Sequence, residues 1–223
     1  MPKRASIDFV VAKNDDLADL RFGGEPFGLP SALWPKSKST QEVMQFICQI
    51  PFDSGLIPGA EKSVAYLFIA NGDGNETWLP NGGENAVVIL RENQLTNSLT
   101  VGDSPRLIRM VKHWWNSRLV PEACSYVAKL TFSDDPDYIP ASKLQELPSE
   151  QVLVYRTTLE GNKLGGSPGF LQFDELPFSE KWQLLLQLDS TKIPFWINFG
   201  DAGVGYLFLN EAGKEGKFLW QCL

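Results

Sequence analysis

Short apolar runs, set apart by glycine, proline and asparagine, dominate the pattern of this chain and predict a β-rich fold. The runs place strands over Ser6–Ala12, Val43–Ile50, Ser63–Ala70, Asn85–Arg91, Cys124–Phe132, Gln151–Thr157, Gln183–Leu188, Val204–Asn210 and Lys217–Cys222. Strict alternation puts Met44, Phe46, Cys48 and Ile50 on one face and Gln45, Ile47 and Gln49 on the other. No helices of crossover spacing separate the strands, so antiparallel pairing is expected. One amphipathic helix is predicted over Pro105–Leu119, with Asp103 or Ser104 as its cap. Leu107, Met110, Val111, Trp114 and Arg118 would form its buried stripe. A shorter helix is expected from Ala141 to Leu147. Asn71–Asn85 and Ser133–Pro140 read as loops.

The pattern also repeats. Arg21-Phe22-Gly23-Gly24-Glu25-Pro26 returns as Lys163-Leu164-Gly165-Gly166-Ser167-Pro168. Gln45-Phe46-Ile47-Cys48-Gln49-Ile50 returns as Gln183-Leu184-Leu185-Leu186-Gln187-Leu188, and Ala65-Tyr66-Leu67-Phe68-Ile69 as Gly205-Tyr206-Leu207-Phe208-Leu209. The blocks keep their order while the offset drifts from 142 to 138 to 140 residues, as loop insertions would make it do. Two copies cannot stack into a solenoid. The expectation is an α+β fold of duplicated, mainly antiparallel halves related by a pseudo-twofold, about 20–91 and 160–223, with one connecting amphipathic helix.

Bulk properties narrow the function. At 223 residues and 43% hydrophobic, the chain can bury a large core. A net charge of -7 disfavours nucleic acid as a partner. Three scattered cysteines, Cys48, Cys124 and Cys222, form neither a zinc signature nor a disulfide framework, so no metal or cofactor is expected. With no long apolar segment, the chain reads as cytoplasmic and without stable membrane association.

Candidate chemistry is sparse. The paired Gly23, Gly24 and Gly165, Gly166 suit turns of positive φ, and only secondarily a ligand contact through exposed amides. Gln49 and Gln187 can donate and accept hydrogen bonds but cannot act as an acid or base near neutrality. Asp201, in Asn198-Phe199-Gly200-Asp201-Ala202-Gly203, lacks the companions of a calcium loop and is expected to hold local amides in a hairpin-like turn. His113 has no nucleophile signature beside it. Trp34, Trp78 and Trp196, with the basic Arg106, Arg109 and Lys112, are candidates for a partner-facing surface.

Phe22-Gly23-Gly24-Glu25-Pro26, Trp34-Pro35 and Met44-Gln45-Phe46-Ile47-Cys48-Gln49-Ile50 resemble the opening of the YwqG-like family, bacterial domains of unknown function. Leu164-Gly165-Gly166-Ser167-Pro168, Leu184-Leu185-Leu186-Gln187-Leu188-Asp189 and Gly200-Asp201-Ala202-Gly203 continue the likeness. The Gly-Gly-x-Pro and Phe-x-x-Gln-Ile blocks are also similar to the C-terminal region of programmed-cell-death-2 proteins, which chaperone a ribosomal protein. Relatives often carry cysteines where Lys36-Ser37-Lys38-Ser39-Thr40 stands, and usually have Trp at the position of Phe199. The resemblance implies a duplicated sheet-rich fold and no established activity. The expected function is therefore a non-catalytic module holding a protein partner. The alternative is a small-ligand binder or hydrolytic enzyme working in the cleft between the halves, with Arg21 and Lys163 flanking.

Overall fold

The computed structural model describes residues 1–13, 16–17, 19–52, 62–72, 76–113, 118–175 and 182–223. Twelve strands run along the described chain: β1 (Lys3–Val11), β2 (Arg21–Gly23), β3 (Gln45–Pro51), β4 (Ser63–Ile69), β5 (Asn85–Arg91), β6 (Ile108–Lys112), β7 (Leu119–Ala123), β8 (Ser125–Asp134), β9 (Lys163–Gly165), β10 (Trp182–Asp189), β11 (Val204–Asn210) and β12 (Gly216–Gln221). Two helices, α1 (Ala141–Leu144) and α2 (Ser149–Leu159), lie between β8 and β9. Ten strands form one antiparallel sheet in the order β12-β11-β10-β9-β1-β8-β2-β3-β4-β5, and β6 and β7 make a separate hairpin. The fold is a sheet-rich α+β arrangement with few helices.

Two wings flank a central pair. β1 and β8 run antiparallel over their full length, with β2–β5 continuing from β8 and β9–β12 from β1. The same register recurs on both flanks. Arg21 faces Val127 as Lys163 faces Ser6, Phe22 faces Tyr126 as Leu164 faces Ala5, and Gly23 faces Ser125 as Gly165 faces Arg4. Beyond each ladder, Ala128 N donates to Leu20 O (3.0 Å) as Ile7 N donates to Asn162 O (3.0 Å). Each β8 residue thus stands where the β1 residue 121 positions earlier stands, and Asp8 opposite Lys129 marks the midpoint of the pattern. The N-terminal strand supports the C-terminal wing, and the strand preceding β9 supports the N-terminal wing.

The sheet curls until its ends touch, with Val87 of β5 packed where Gly216 of β12 has no side chain. Phe22, Ile47, Ile50, Leu67, Leu164, Leu185, Leu188, Leu207 and Phe218 fill the inside of the curl. Each wing also buries a second, outer cluster. Phe46, Tyr66 and Phe68 form one with Leu29 and Met44, and Leu184, Tyr206 and Phe208 form the other against Phe170 and Leu171. With both faces covered, these strands read as nearly continuous apolar runs.

Four expectations are corrected by the fold. Met44 and Phe46 do not share a face with Cys48 and Ile50, because the register slips between Phe46 and Cys48, and Phe46 joins the outer cluster while Ile47, Cys48 and Ile50 join the inner one. The same slip falls between Leu184 and Leu186. A bulge opposes two residues to one and reverses the alternation beyond it.

The described part of Pro105–Leu119 is not a helix. Ile108–Lys112 pairs with Leu119–Ala123, and Trp196 N donates to Ile108 O (2.7 Å). Ile108, Met110 and Val111 fit either period, and cross-strand partners decide. The predicted Trp114 lies outside the described residues. Gln151–Thr157, conversely, is helical: Val152, Tyr155 and Leu159 turn inward at helical spacing, after Pro148 and Glu150 start the helix. Ser133 and Asp134, expected in a loop, end β8. Part of the expected Asn71–Asn85 loop, residues 73–75, lies outside the described residues.

Candidate functional site

The double glycines and the glutamines join into one device in each wing. Gly23, Gly24, Gly165 and Gly166 all take positive φ, 70°, 71°, 64° and 76°. A side chain at Gly23 would collide with Cys124 O, and one at Gly166 with Asp135 Oδ2. The turn carries the chain across the adjacent strand to the glutamine. Gln49 Oε1 accepts from Phe27 N (2.8 Å) while its Nε2 donates to Leu17 O (2.8 Å) and Asp19 O (3.1 Å). Gln187 Oε1 accepts from Gly169 N (2.9 Å) while its Nε2 donates to Leu159 O (2.9 Å) and Gly161 O (3.0 Å). Tyr66 OH donates to Phe27 O (2.7 Å) and Tyr206 OH to Gly169 O (2.8 Å). Burial pushes both tyrosines upward in pKa, so they stay protonated donors. These side chains are occupied by backbone, and they staple loops to the sheet.

The cations beside the glutamines differ. Arg21 is buried, and its Nε has no hydrogen-bond partner among the described residues. Desolvation lowers its pKa against the pull of Asp16 and Asp19. Lys163 donates to Asp135 Oδ2 (2.7 Å) and Ser167 O (2.7 Å), and Asp135, fully buried, also receives Arg4 (2.8 Å) and Ser167 N (3.0 Å). Burial brings Lys163 down to about 8, with Asp135 opposing the fall.

Several expected surface residues have structural partners. Trp34 Nε1 donates to Met44 O (2.8 Å) and its ring packs on Phe68. Arg106 pairs with Glu25 at 2.6 Å, Arg109 lies 3.5 Å from Glu122, and Lys112 is exposed on the hairpin. Asp201 is exposed, and Asn198 rather than Asp201 closes the turn, by accepting from Gly200 N (3.1 Å). His113 Nε2 meets Glu122 at 2.8 Å. Burial raises the pKa of Cys48 and takes Cys124 to about 11, so neither is a ready thiolate nucleophile near neutrality.

What the fold does bring together is Trp78 and Trp196. With Trp220 they line a recess of about 290 Å3 where β3 and β4 meet the 196–200 segment and β12. Trp78 crosses Trp220 edge to face at 5.8 Å, and Trp220 Nε1 donates to Thr77 Oγ1 (3.0 Å). Gln45, Asn71 and Asn198 supply amides, while Ile47, Ile69 and Ile197 supply apolar wall. No charged side chain stands among these lining residues. Trp220, Asn71 and Gln45 were missed as site residues; the repeat marks Gln45, but nothing in the sequence brings β12 against residues 77–78.

A second cavity, of about 190 Å3, sits under α2 in the C-terminal wing, lined by Tyr138, Tyr155, Phe170 and Asp174 among others. Tyr138 OH is buried there beside Asp174 without a well-aligned bond, and burial, then Asp174, raises its pKa. Among the described residues no cluster of three or more His, Cys, Asp or Glu is placed to hold a metal ion. No helix of the described residues is long and apolar enough to cross a membrane.

Residues 20–214 match the family described as "Domain of unknown function (DUF1963)". The chain belongs to that family. The DUF1963 match takes in both double-glycine turns, Gln49 and Gln187 themselves and most of the recess, leaving out β1, the Leu17 and Asp19 partners of Gln49, and Trp220. No curated protein matches the chain.

Proposed function

We propose that this protein is a non-catalytic binding module, built from a duplicated unit whose first strands have been exchanged, with its binding site at the far seam between the wings. The composition of that seam carries the proposal. Three indoles and three amides converge on one recess, with no ionisable group able to act as acid, base or nucleophile among the described lining residues. Recurrent bulges, double-glycine turns and glutamine staples support the duplication under a pseudo-twofold through Asp8 and Lys129. Within DUF1963 we read the chain as YwqG-like and cytoplasmic, on the motifs around Phe22 and Leu164. The test is an indole N–H NMR screen with small fragments. Hits should move the Trp78, Trp196 and Trp220 resonances and leave Trp34 and Trp182 still. Hits that gather instead around Tyr138 and Phe170 would move the site under α2 and defeat the proposal.

One observation favours a protein partner at the same place: Trp78 and Trp196 remain 40% and 56% exposed on the rim. Exposed tryptophans of this kind serve as anchors in protein interfaces. Trp34, Arg106 and Arg109, by contrast, already have partners within the chain and add little to such a surface. The likeness to programmed-cell-death-2 proteins is the remaining support for a client-holding role.

A further inference from the structure

Building on the seam as the binding site, we propose that its ligand is an uncharged saccharide, one sugar ring of which enters the recess. Size sets the first bound. A cavity of about 150 Å3 holds a bare benzene ring, so about 290 Å3 leaves room for a six-membered ring with its hydroxyl substituents. It leaves no room for a folded segment.

Chemistry sets the second bound. A charged ligand would give up its hydration in a recess whose described lining residues offer no opposite charge. A purely apolar ligand would cover the carboxamide of Gln45 and the Nδ2 of Asn198 without satisfying them, and buried polar groups left unmade are expensive. A sugar ring meets both demands. Its C–H face lies flat on an indole, and its rim of hydroxyls, each able to donate and accept, matches amides that do the same.

The walls are also fixed in advance. Trp220 is held by Thr77 and stacks on Phe199 at 6.1 Å, with Trp78 set across it. Trp196 is anchored through its backbone to Ile108 while its side chain reaches the rim. Side chains already in place bind without a large ordering cost.

The experiment titrates the full chain with maltotriose, cellotriose, xylotriose and chitotriose, read by tryptophan fluorescence and saturation-transfer NMR. Acetyl-tryptophan-amide and a glucuronate disaccharide serve as comparison probes. At least one neutral trisaccharide should bind saturably, with ring C–H signals strongest in saturation transfer. Trp78→Ala and Trp196→Ala should each weaken it by about tenfold or more, with melting temperatures within about 2 °C of the parent. No binding of any trisaccharide at about 10 mM, well above a weak sugar affinity, would overturn the saccharide. If the tryptophan amide still bound at the indoles in that case, the seam would stand as a binding site with another occupant. Trisaccharide binding untouched by both substitutions would place the sugar elsewhere and likewise overturn the proposal.

Discussion

Gln49 and Gln187 hold the same place in their wings and make the same three bonds to backbone, whereas their cross-strand neighbours Arg21 and Lys163 hold equivalent places and do not behave alike. The glutamines stand under a strict demand. Each satisfies one amide and two carbonyls that have no ladder partner, and no shorter or charged side chain does that in the same space. The cations answer a looser demand, because any local counter-charge will serve. In the C-terminal wing the chain leaving β8 supplies Asp135 at once. In the N-terminal wing, among the described residues, Arg21 has the longer-range pull of Asp16 and Asp19. Polar groups that complete the backbone keep their form between the wings, and charges diverge with the loops beside them.

The largest effect should come from breaking the difference itself. Asp135→Ala leaves Lys163 and Arg4 without their shared carboxylate in a buried place. It should cost about 3–5 kcal/mol in urea unfolding, far more than Asp19→Ala, which acts on Arg21 only through longer-range attraction. Equal losses would mean that the two cations are supported alike after all.

A pH series sharpens the same contrast. Lys163 sits at about 8 when folded and returns to its ordinary 10.5 when unfolded. Between those values the unfolded chain binds the extra proton, so this group makes stability rise with pH, by at most about 1.4 kcal/mol per unit. Below pH 8 the lysine is charged in both states and contributes no slope. Relative to Lys163→Met, the parent should therefore gain stability from pH 8 to 10, measured by urea midpoint. Parallel curves would deny the depressed lysine.

The smallest effects test sameness. Tyr66→Phe and Tyr206→Phe each remove one bond to an equivalent carbonyl. Each should cost about 1 kcal/mol, and the two losses should agree. A clear inequality would separate the wings where their geometry unites them.

How much of this could be read from the chain follows the same division. Asn85–Arg91 and Val204–Asn210 match the predicted strands residue for residue, because both are bounded by turn residues and pack against a cluster on each face. The bulges after Phe46 and Leu184 were out of reach: repeated letters give equivalence, but not the hydrogen-bond register. Val152, Val154, Thr157 and Thr158 favour a strand, and only the packing of Val152, Tyr155 and Leu159 makes that stretch a helix. Met110 and Val111 deceived in the other direction, since pairing with β7 overrides a helical spacing. Of the candidate site, the glycines and glutamines were visible through repetition, and Trp78 and Trp196 through exposure-prone chemistry. Their meeting with Trp220 depends on the curl of the whole sheet, which no local pattern encodes. Asp135 lay hidden in an acidic stretch that looked like solvent-facing loop.

The most direct test of two wings built alike is paired equilibrium unfolding of Gln49→Ala and Gln187→Ala. Each substitution orphans one amide and two carbonyls. Each should lose about 2–4 kcal/mol at an unchanged m-value, with the two losses within about 1 kcal/mol of each other. A large loss for one beside a negligible loss for the other would contradict the account.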